Sequence, residues 1–307
     1  MIRSSRSTSS LTAGRRDRDS KNLVKAQRWW QQSGEVVLGS LQTTKMSYVD
    51  IHCHILPAVD DGARDLEESI EYARRLVDEG VRELIATPHV GNPRFPFEPE
   101  EIEDRVASLS LELEKREIPL RIHAGGELHP SDPNSLTDAQ LELVANGPTG
   151  ARWLLFEVPF AGVDERYADD CRQLMARGYG LVIAHPERAR GLFSDGGWQL
   201  LRGLVAEGAL LQINVCSLLG NNGLEAQEAA VGLLRSGHAF TLASDAHPGT
   251  RDHTAALGFA LTLKAGASSL QAWRLTQANP RFLLRSGIPA GFNEQRSASL
   301  GQPLPVF

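Results

Sequence analysis

A parallel β/α barrel carrying a polar cluster at one mouth is the fold this sequence predicts. Three observations carry that expectation. From residue 48 onward, short apolar stretches alternate about seven times with amphipathic ones, the pattern of a parallel sheet covered by helices. The polar residues that punctuate the apolar stretches fall at their carboxyl ends, and in a barrel those ends converge on one face. This placement favours a distorted (β/α)7-type barrel over an open sheet. The 307 residues are also enough for one large α/β domain.

The elements follow in order. "YVDIH" (48–52) reads as the first strand. "DLEESIEYARRLVDEG" (65–80) reads as a helix, with Leu66, Ile70, Ala73 and Val77 on one face, Asp65 and Glu68 as its start signal and Gly80 as its stop. "RELIATPH" (82–89) is the second strand, and residues 98–116 form a charged amphipathic helix. "LRIHAGGEL" (120–128) and "RWLLFEV" (152–158) are further strands, followed by a helix over 164–177. "GLVIAH" (180–185), a helix over 198–206, "ALLQIN" (209–214) and a helix over 224–235 continue the alternation. "AFTLASDAH" (239–247) is the last strand, with helical segments at 254–264 and 269–278.

Charge divides the chain unevenly. The formal net charge is −6, but residues 1–45 carry +6, leaving −12 on the remainder. An acidic body argues against nucleic-acid binding through a broad basic face. Three widely spaced cysteines, Cys53, Cys171 and Cys216, read as reduced thiols of a cytoplasmic protein. No apolar run approaches the ~20 residues of a membrane span. The Ser/Arg-rich beginning reads as a flexible tail over 1–46. Met46 stands directly before "SYVDIHCH", so that tail is also open to reading as a start-site artefact. The barrel is expected over 47–290 and a C-terminal tail over 291–307.

Metal-type ligands recur at the strand ends: His52 and His54, His89, Glu127, Glu157, His185, then Asp245 and His247. Five of the nine histidines sit there. Side chains alternate along a strand, so His52 and His54 share a face, about 6–7 Å apart at Cα, and Cys53 points into the helix layer. "SDAH" repeats the i, i+2 spacing with Asp245 and His247. A carboxylate in "LLFEVPF" is costly to bury alone, which points Glu157 toward cations. Imidazole plus carboxylate without thiolate favours manganese, iron or zinc over Cu(I). His123, His129, His238 and His253 read as surface or satisfied core histidines.

Two arginines leave ligand-bearing strand ends by a few residues, Arg188 in "HPER" and Arg251 in "SDAHPGTR". Guanidinium there suits bidentate binding of phosphate oxygens. "CRQLMAR" (171–177) matches the spacing of a cysteine phosphatase loop, but it lacks glycine and continues a helix, so it predicts no phosphate cradle.

Together "HCHILPAVDDG", "ATPH", "GGEL", "FEVP", "AHPER" and "SDAH" resemble the polymerase and histidinol phosphatase (PHP) superfamily, and within it the CpsB-like metal-dependent protein-tyrosine phosphatases of bacterial capsule and exopolysaccharide loci. The resemblance runs from about residue 47 to 285. It implies a distorted barrel with up to three metal ions, usually manganese. The implied ligands are His52, His54, Asp61, His89, Glu127, Glu157, His185, Asp245 and His247. Asp61 is taken over Asp60, and Arg188 and Arg251 become the phosphate-binding arginines, so Asp61, Arg188 and Arg251 are the implied catalytic set. The implied reaction is hydrolysis of phosphotyrosine in proteins without a phosphoenzyme, with His253 in protonated form as a candidate helper. The implied partner is the tyrosine-rich tail of a membrane-associated autokinase. The same cluster would also suit a small phosphomonoester such as histidinol phosphate. Phe95 and Phe97, in "NPRFPF", are candidates for packing a phenyl ring or for a structural turn.

Overall fold

Strand β1 (Tyr48–Cys53) is buried along its whole length, as expected for a strand covered on both faces. The computed structural model describes residues 46–289. The expected tails therefore lie outside the described residues, apart from Met46. Helix α1 (Leu66–Asp78) follows, and the Asp65 carboxylate caps it by accepting from the Glu68 backbone N–H at 3.0 Å. Then come β2 (Val81–Ala86), β3 (His89–Val90), α2 (Ile102–Lys115), β4 (Arg121–Ala124) and β5 (Glu127–Leu128). Helix α3 (Asp138–Val144) was not expected, although Thr137 and Gln140 form a full capping box at its start. The chain continues through β6 (Trp153–Glu157), α4 (Glu165–Ala176), β7 (Gly180–Ala184), α5 (Gly197–Glu207) and β8 (Leu210–Asn214). It ends with α6 (Val215–Leu218), α7 (Leu224–Arg235), β9 (Ala239–Ala243), α8 (Ala255–Lys264), α9 (Ser269–Trp273), a π-helical turn (Arg274–Ala278) and α10 (Asn279–Ser286).

All ladder pairings are parallel and fall into two sheets, β1-β2-β4 and β3-β5-β6-β7-β8-β9. The split has a local cause. The strand expected over 82–89 is interrupted at Thr87–Pro88, because proline has no N–H for a ladder. The strand expected over 120–128 is interrupted at Gly125–Gly126, where a Cβ on Gly125 would lie 2.5 Å from both Ile85 Cγ2 and Asn146 Nδ2. With each interrupted path taken as one strand, the described residues form seven parallel strands arranged around a ring. Between β9 and β1 a parallel bridge, Cys53 to Ala246, replaces a ladder. There the Asp245 N–H donates to His52 O and the His54 N–H to Ala246 O, each at 2.9 Å.

Two apolar clusters flank this ring. The outer one joins the strands to the helices and includes Cys53, Leu84, Phe156 and Ile183. The inner one holds Val49, Ile51, Ile85, Trp153, Leu155 and Val182, with Leu283 of α10 and Ile288 packed among them. The indole of Trp153 donates to Leu283 O at 3.0 Å. One end of the ring is thus filled with apolar side chains, and the carboxyl ends are left for polar ones.

Strict alternation along β1 would put Cys53 inside with Val49 and Ile51, and His52 outside with Asp50. The β1–β2 register shifts between Asp50 and Cys53, and Cys53 belongs to the outer cluster. A local irregularity of this kind re-aims side chains. His52 and His54 do share a face away from Cys53, but that face is the interior only because the register shifts.

Candidate metal centre

His52 and His54 meet with their Nε2 atoms 3.3 Å apart. Glu127 Oε2 lies 3.4 Å from each Nε2 and Asp245 Oδ1 lies 3.5 Å from each. All four residues are buried. What decides the charge at this point is the other nitrogen of each ring.

For His52 that nitrogen is fixed by a chain of amides on β8. Asn214 Nδ2 donates to Asp245 Oδ2 at 2.5 Å, which leaves Asn214 Oδ1 to accept from Gln212 Nε2 at 2.7 Å. Gln212 Oε1 is then the acceptor for His52 Nδ1 at 2.9 Å. For His54 the acceptor is a carboxylate: Nδ1 donates to Asp60 Oδ2 at 2.7 Å. Both rings therefore carry their proton on Nδ1 and aim the Nε2 lone pair at the other ring and at two carboxylates. Such an arrangement repels itself unless positive charge lies among the four atoms. Burial opposes the cation on His54, yet Asp60 and the other carboxylates hold its pKa well above the ordinary value. Burial likewise opposes it on His89, where Glu127 and Asp61 lift the pKa to about 10. Burial would raise Glu127, but His52 and His89 pull it well below the usual range.

The remaining donors extend the cluster. Among the described residues, His54, Asp61, His89 and His247 form one group with ligand atoms within 4.8 Å of one another. His52, His54 and Asp245 form a second, His52, Glu127 and His185 a third, and His89, Glu127 and Glu157 a fourth. His185 Nδ1 is buried without a hydrogen-bond partner, and His89 Nδ1 and Glu127 Oε2 face each other at 3.1 Å without an aligned hydrogen bond. Buried polar atoms left without a good hydrogen bond are rare, and their presence at one cluster of imidazoles and carboxylates fits metal ligation. Burial, then the neighbouring Glu127 charge, pushes the Glu157 carboxyl up to about 8. Burial and Arg188 push His185 down to about 4.

The two aspartates of "VDDG" part company. Asp60 is fully covered: it accepts from His54 Nδ1, from the His89 N–H at 3.0 Å and from the Gly62 N–H at 2.9 Å. Its role here is to orient His54 from behind, as carboxylates behind metal-binding histidines do. Asp61 is 48% exposed at the cavity mouth, with Oδ1 3.1 Å from His247 Nε2 and 3.5 Å from His89 Nε2. Gly62 allows this turn to lie on β1, since a Cβ there would sit 2.1 Å from His54 O.

His185 and Asp245 are held at φ +36° and +48°. The i, i+2 analogy between "SDAH" and "HCH" therefore fails. β9 ends at Ala243, and Asp245 turns inward through a left-handed backbone, stabilised by the Asp245 N–H to His52 O contact.

A cavity of about 240 Å³ opens over the cluster, lined by Asp61, His89, Glu127, Glu157, His185, Asp245 and His247 together with Asn92, Arg94, Phe95, His129, Phe160, Arg188 and Arg251; His52 and His54 lie beneath this lining. Arg188 Nη1 lies 3.1 Å from Asp245 Oδ2. Arg251 Nη2 lies 3.6 Å from Asp245 Oδ1 and 2.6 Å from His247 Nδ1. Other expectations change here. His129 lines the cavity; the Ser131 N–H donates to its Nδ1 at 3.2 Å, so the neutral ring presents Nε2–H. His253 does not line it. Its Nε2 lies 3.0 Å from Asn221 Nδ2, and burial and then Arg251 push its pKa to about 4, so it holds no proton to give near neutrality. Phe97 is buried in the outer cluster, whereas Phe95 stacks on His89 at 5.4 Å. All three cysteines are buried, and burial pushes the Cys171 thiol up to about 12.

The β8 amides and His129 were missed by sequence reasoning. A glutamine and an asparagine two apart in the apolar run "ALLQIN" also carry a burial cost, smaller than that of the Glu157 charge but large enough to require partners. Gln212→Leu is expected to weaken metal affinity ~10–100-fold, measured by calorimetric titration of the metal-free protein. Unchanged affinity would show that the amide chain does not set the His52 tautomer.

Comparison with known proteins gives consistent relatives. The family described as capsular polysaccharide synthesis, CpsB/CapC, matches residues 48–285. Tyrosine-protein phosphatase YwqE of Bacillus subtilis is 39% identical over 200 residues, covering 65% of this chain and 77% of the relative. CapC of Staphylococcus aureus is 32% identical over 203 residues, covering 65% and 76%. A solved structure from work on YwqE of Bacillus subtilis and CpsB of Streptococcus pneumoniae, metal-dependent tyrosine phosphatases, aligns with a TM-score of 0.68. It is 33% identical, covering 78% of this chain and 96% of that one.

Proposed function

Because this chain belongs to the CpsB/CapC family of capsular polysaccharide synthesis, we propose that it is a metal-dependent protein-tyrosine phosphatase. The observation that carries this reading is the convergence of His52 Nε2, His54 Nε2, Glu127 and Asp245 beneath Arg188 and Arg251. His52, His54, Asp61, His89, Glu127, Glu157, His185, Asp245 and His247 would hold the ions, with manganese as the proposed metal and up to three bound. A metal cluster there supplies Lewis-acid charge for transfer of a phosphoryl group to water.

The chain's own residues do the rest. Arg188 and Arg251 share Asp245 as a common anchor, which fixes both guanidinium groups over one spot for the three equatorial oxygens of a transferring phosphoryl group. His129, which also lines the cavity, offers a neutral N–H donor. The phenolate of tyrosine, whose conjugate acid has a pKa of about 10, leaves without a strong acid. No thiolate takes part. The reading extends to a cytoplasmic substrate, the phosphotyrosine tail of a membrane-associated kinase that controls polysaccharide synthesis. Among the described residues no helix is long and apolar enough to cross a membrane.

Extensive chelation is expected to reduce turnover of a phosphotyrosyl peptide to background, with recovery on adding Mn(II). Cys171→Ser is expected to keep activity within about twofold, since its buried thiol touches no part of the cavity. Activity that survives chelation, or that disappears in the serine variant, would overturn the reading.

A further inference from the structure

Among the described residues the lining of the cavity is almost wholly charged or polar, and its two apolar members are Phe95 and Phe160. They reach it from different strands, Phe95 from the loop after β3 and Phe160 from the loop after β6. Neither is there to fill the core. Phe97, two residues beyond Phe95, is the buried anchor of its loop. Phe160 is 46% exposed, and an exposed phenyl ring beside a polar pocket gains nothing from burial in the free protein.

Each ring is paired with an arginine. Arg188 Cζ sits 4.2 Å over the Phe160 ring, and Arg94 Cζ sits 5.5 Å from the Phe95 centroid. Arg188 therefore touches the Phe160 face and the Asp245 carboxylate at once. In an aryl phosphate a single oxygen separates phosphorus from the ring. A phosphoryl group held by Arg188 brings an attached ring directly against Phe160. A phosphorylated serine side chain offers only a methylene there.

Resting on the phosphatase reading above, we propose that Phe95 and Phe160 form the walls that select phosphate esters of a planar aromatic alcohol over aliphatic ones. Phe160 packs the leaving ring beside Arg188, and Phe95, already stacked flat on His89 at an interplanar angle of 7°, bounds the opposite loop. Aromatic contacts of this kind strengthen binding beyond the area they cover. Their loss is read chiefly in KM when the ring contact is equal in ground and transition states.

The test compares Phe160→Leu, Phe95→Leu and Phe160→Tyr with the wild type. Each is assayed as the Mn(II)-loaded full chain on a phosphotyrosyl peptide, on the same peptide with phosphoserine, and on histidinol phosphate. The leucine variants are expected to lose about tenfold in kcat/KM on the phosphotyrosyl peptide, mostly through KM. Their loss on phosphoserine is expected to stay within about twofold, and Phe160→Tyr is expected to retain aryl activity. Equal losses on both peptides would make the rings mere supports for Arg188 and His89 and would overturn the proposal, as would no loss on either. A wild type that prefers histidinol phosphate or phosphoserine would instead sink the tyrosine phosphatase reading itself. Phe160 is half exposed, so its replacement is expected to leave the fold intact, and circular dichroism and thermal melting of the variants check this independently.

Discussion

Asp245→Ala is expected to lose on the order of a thousandfold in kcat/KM and to be purified with little bound metal. No other side chain at the site joins so many functions. Its Oδ1 faces His52 and His54 at 3.5 Å and Arg251 at 3.6 Å. Its Oδ2 holds Arg188 at 3.1 Å and Asn214 at 2.5 Å. Truncation removes a negative candidate ligand, takes away the carboxylate that both arginines face and ends the amide chain that fixes the His52 tautomer. Asp245→Asn separates these effects. It keeps the size of the side chain but not the charge, so a variant with normal arginine packing and absent metal would assign the loss to ligation. Elemental analysis beside steady-state kinetics reads both. Wild-type metal content in the alanine variant would show that the cluster does not depend on Asp245.

The second large effect distinguishes Asp60 from Asp61. Asp60→Ala is expected to destabilise the protein by about 3–5 kcal/mol, because it strands a buried imidazole N–H and the N–H groups of Gly62 and His89 without acceptors. Asp61→Ala, at a half-exposed position, is expected to cost under about 1 kcal/mol in the metal-free protein. Its loss should fall on metal affinity and turnover. Chemical denaturation of both variants without metal, followed by metal titration of the survivor, measures the contrast. Equal stability of the two metal-free variants would show that the buried hydrogen bonds of Asp60 do not hold the turn.

The seven-strand alternation and the positions of His52, His54, His89, Glu127, Glu157 and His185 were legible because period and polarity are local properties of sequence. The apolar runs name the strands, and a ligand-type residue just past each run names the mouth. What stayed hidden depends on contacts far apart in the chain. Which of Asp60 and Asp61 faces the cavity depends on how the turn packs, with Gly62 lying close against His54. The left-handed backbone at His185 and Asp245 leaves no pattern, since any residue type there looks like the end of a strand. Gln212 and Asn214 carried a signal, two buried amides in an apolar strand, but their contribution shows only once His52 and Asp245 are placed beside them. Phe160 follows Glu157 by three residues and had no sequence feature to separate it from a core phenylalanine.

The bridge between Cys53 and Ala246 joins residues from opposite ends of the barrel's chain. During synthesis the histidines of β1 emerge almost two hundred residues before Asp245 does. Until then the growing chain exposes imidazoles without the carboxylate and the amides that later govern them. Closure of that seam is also a long-range step of folding, and such steps are slow because the chain must first lose the freedom of the whole intervening loop. Completion of the barrel and completion of its chemistry are therefore one event, and a nascent or truncated chain lacking β9 and the residues after it lacks Asp245 and His247 and cannot complete the centre.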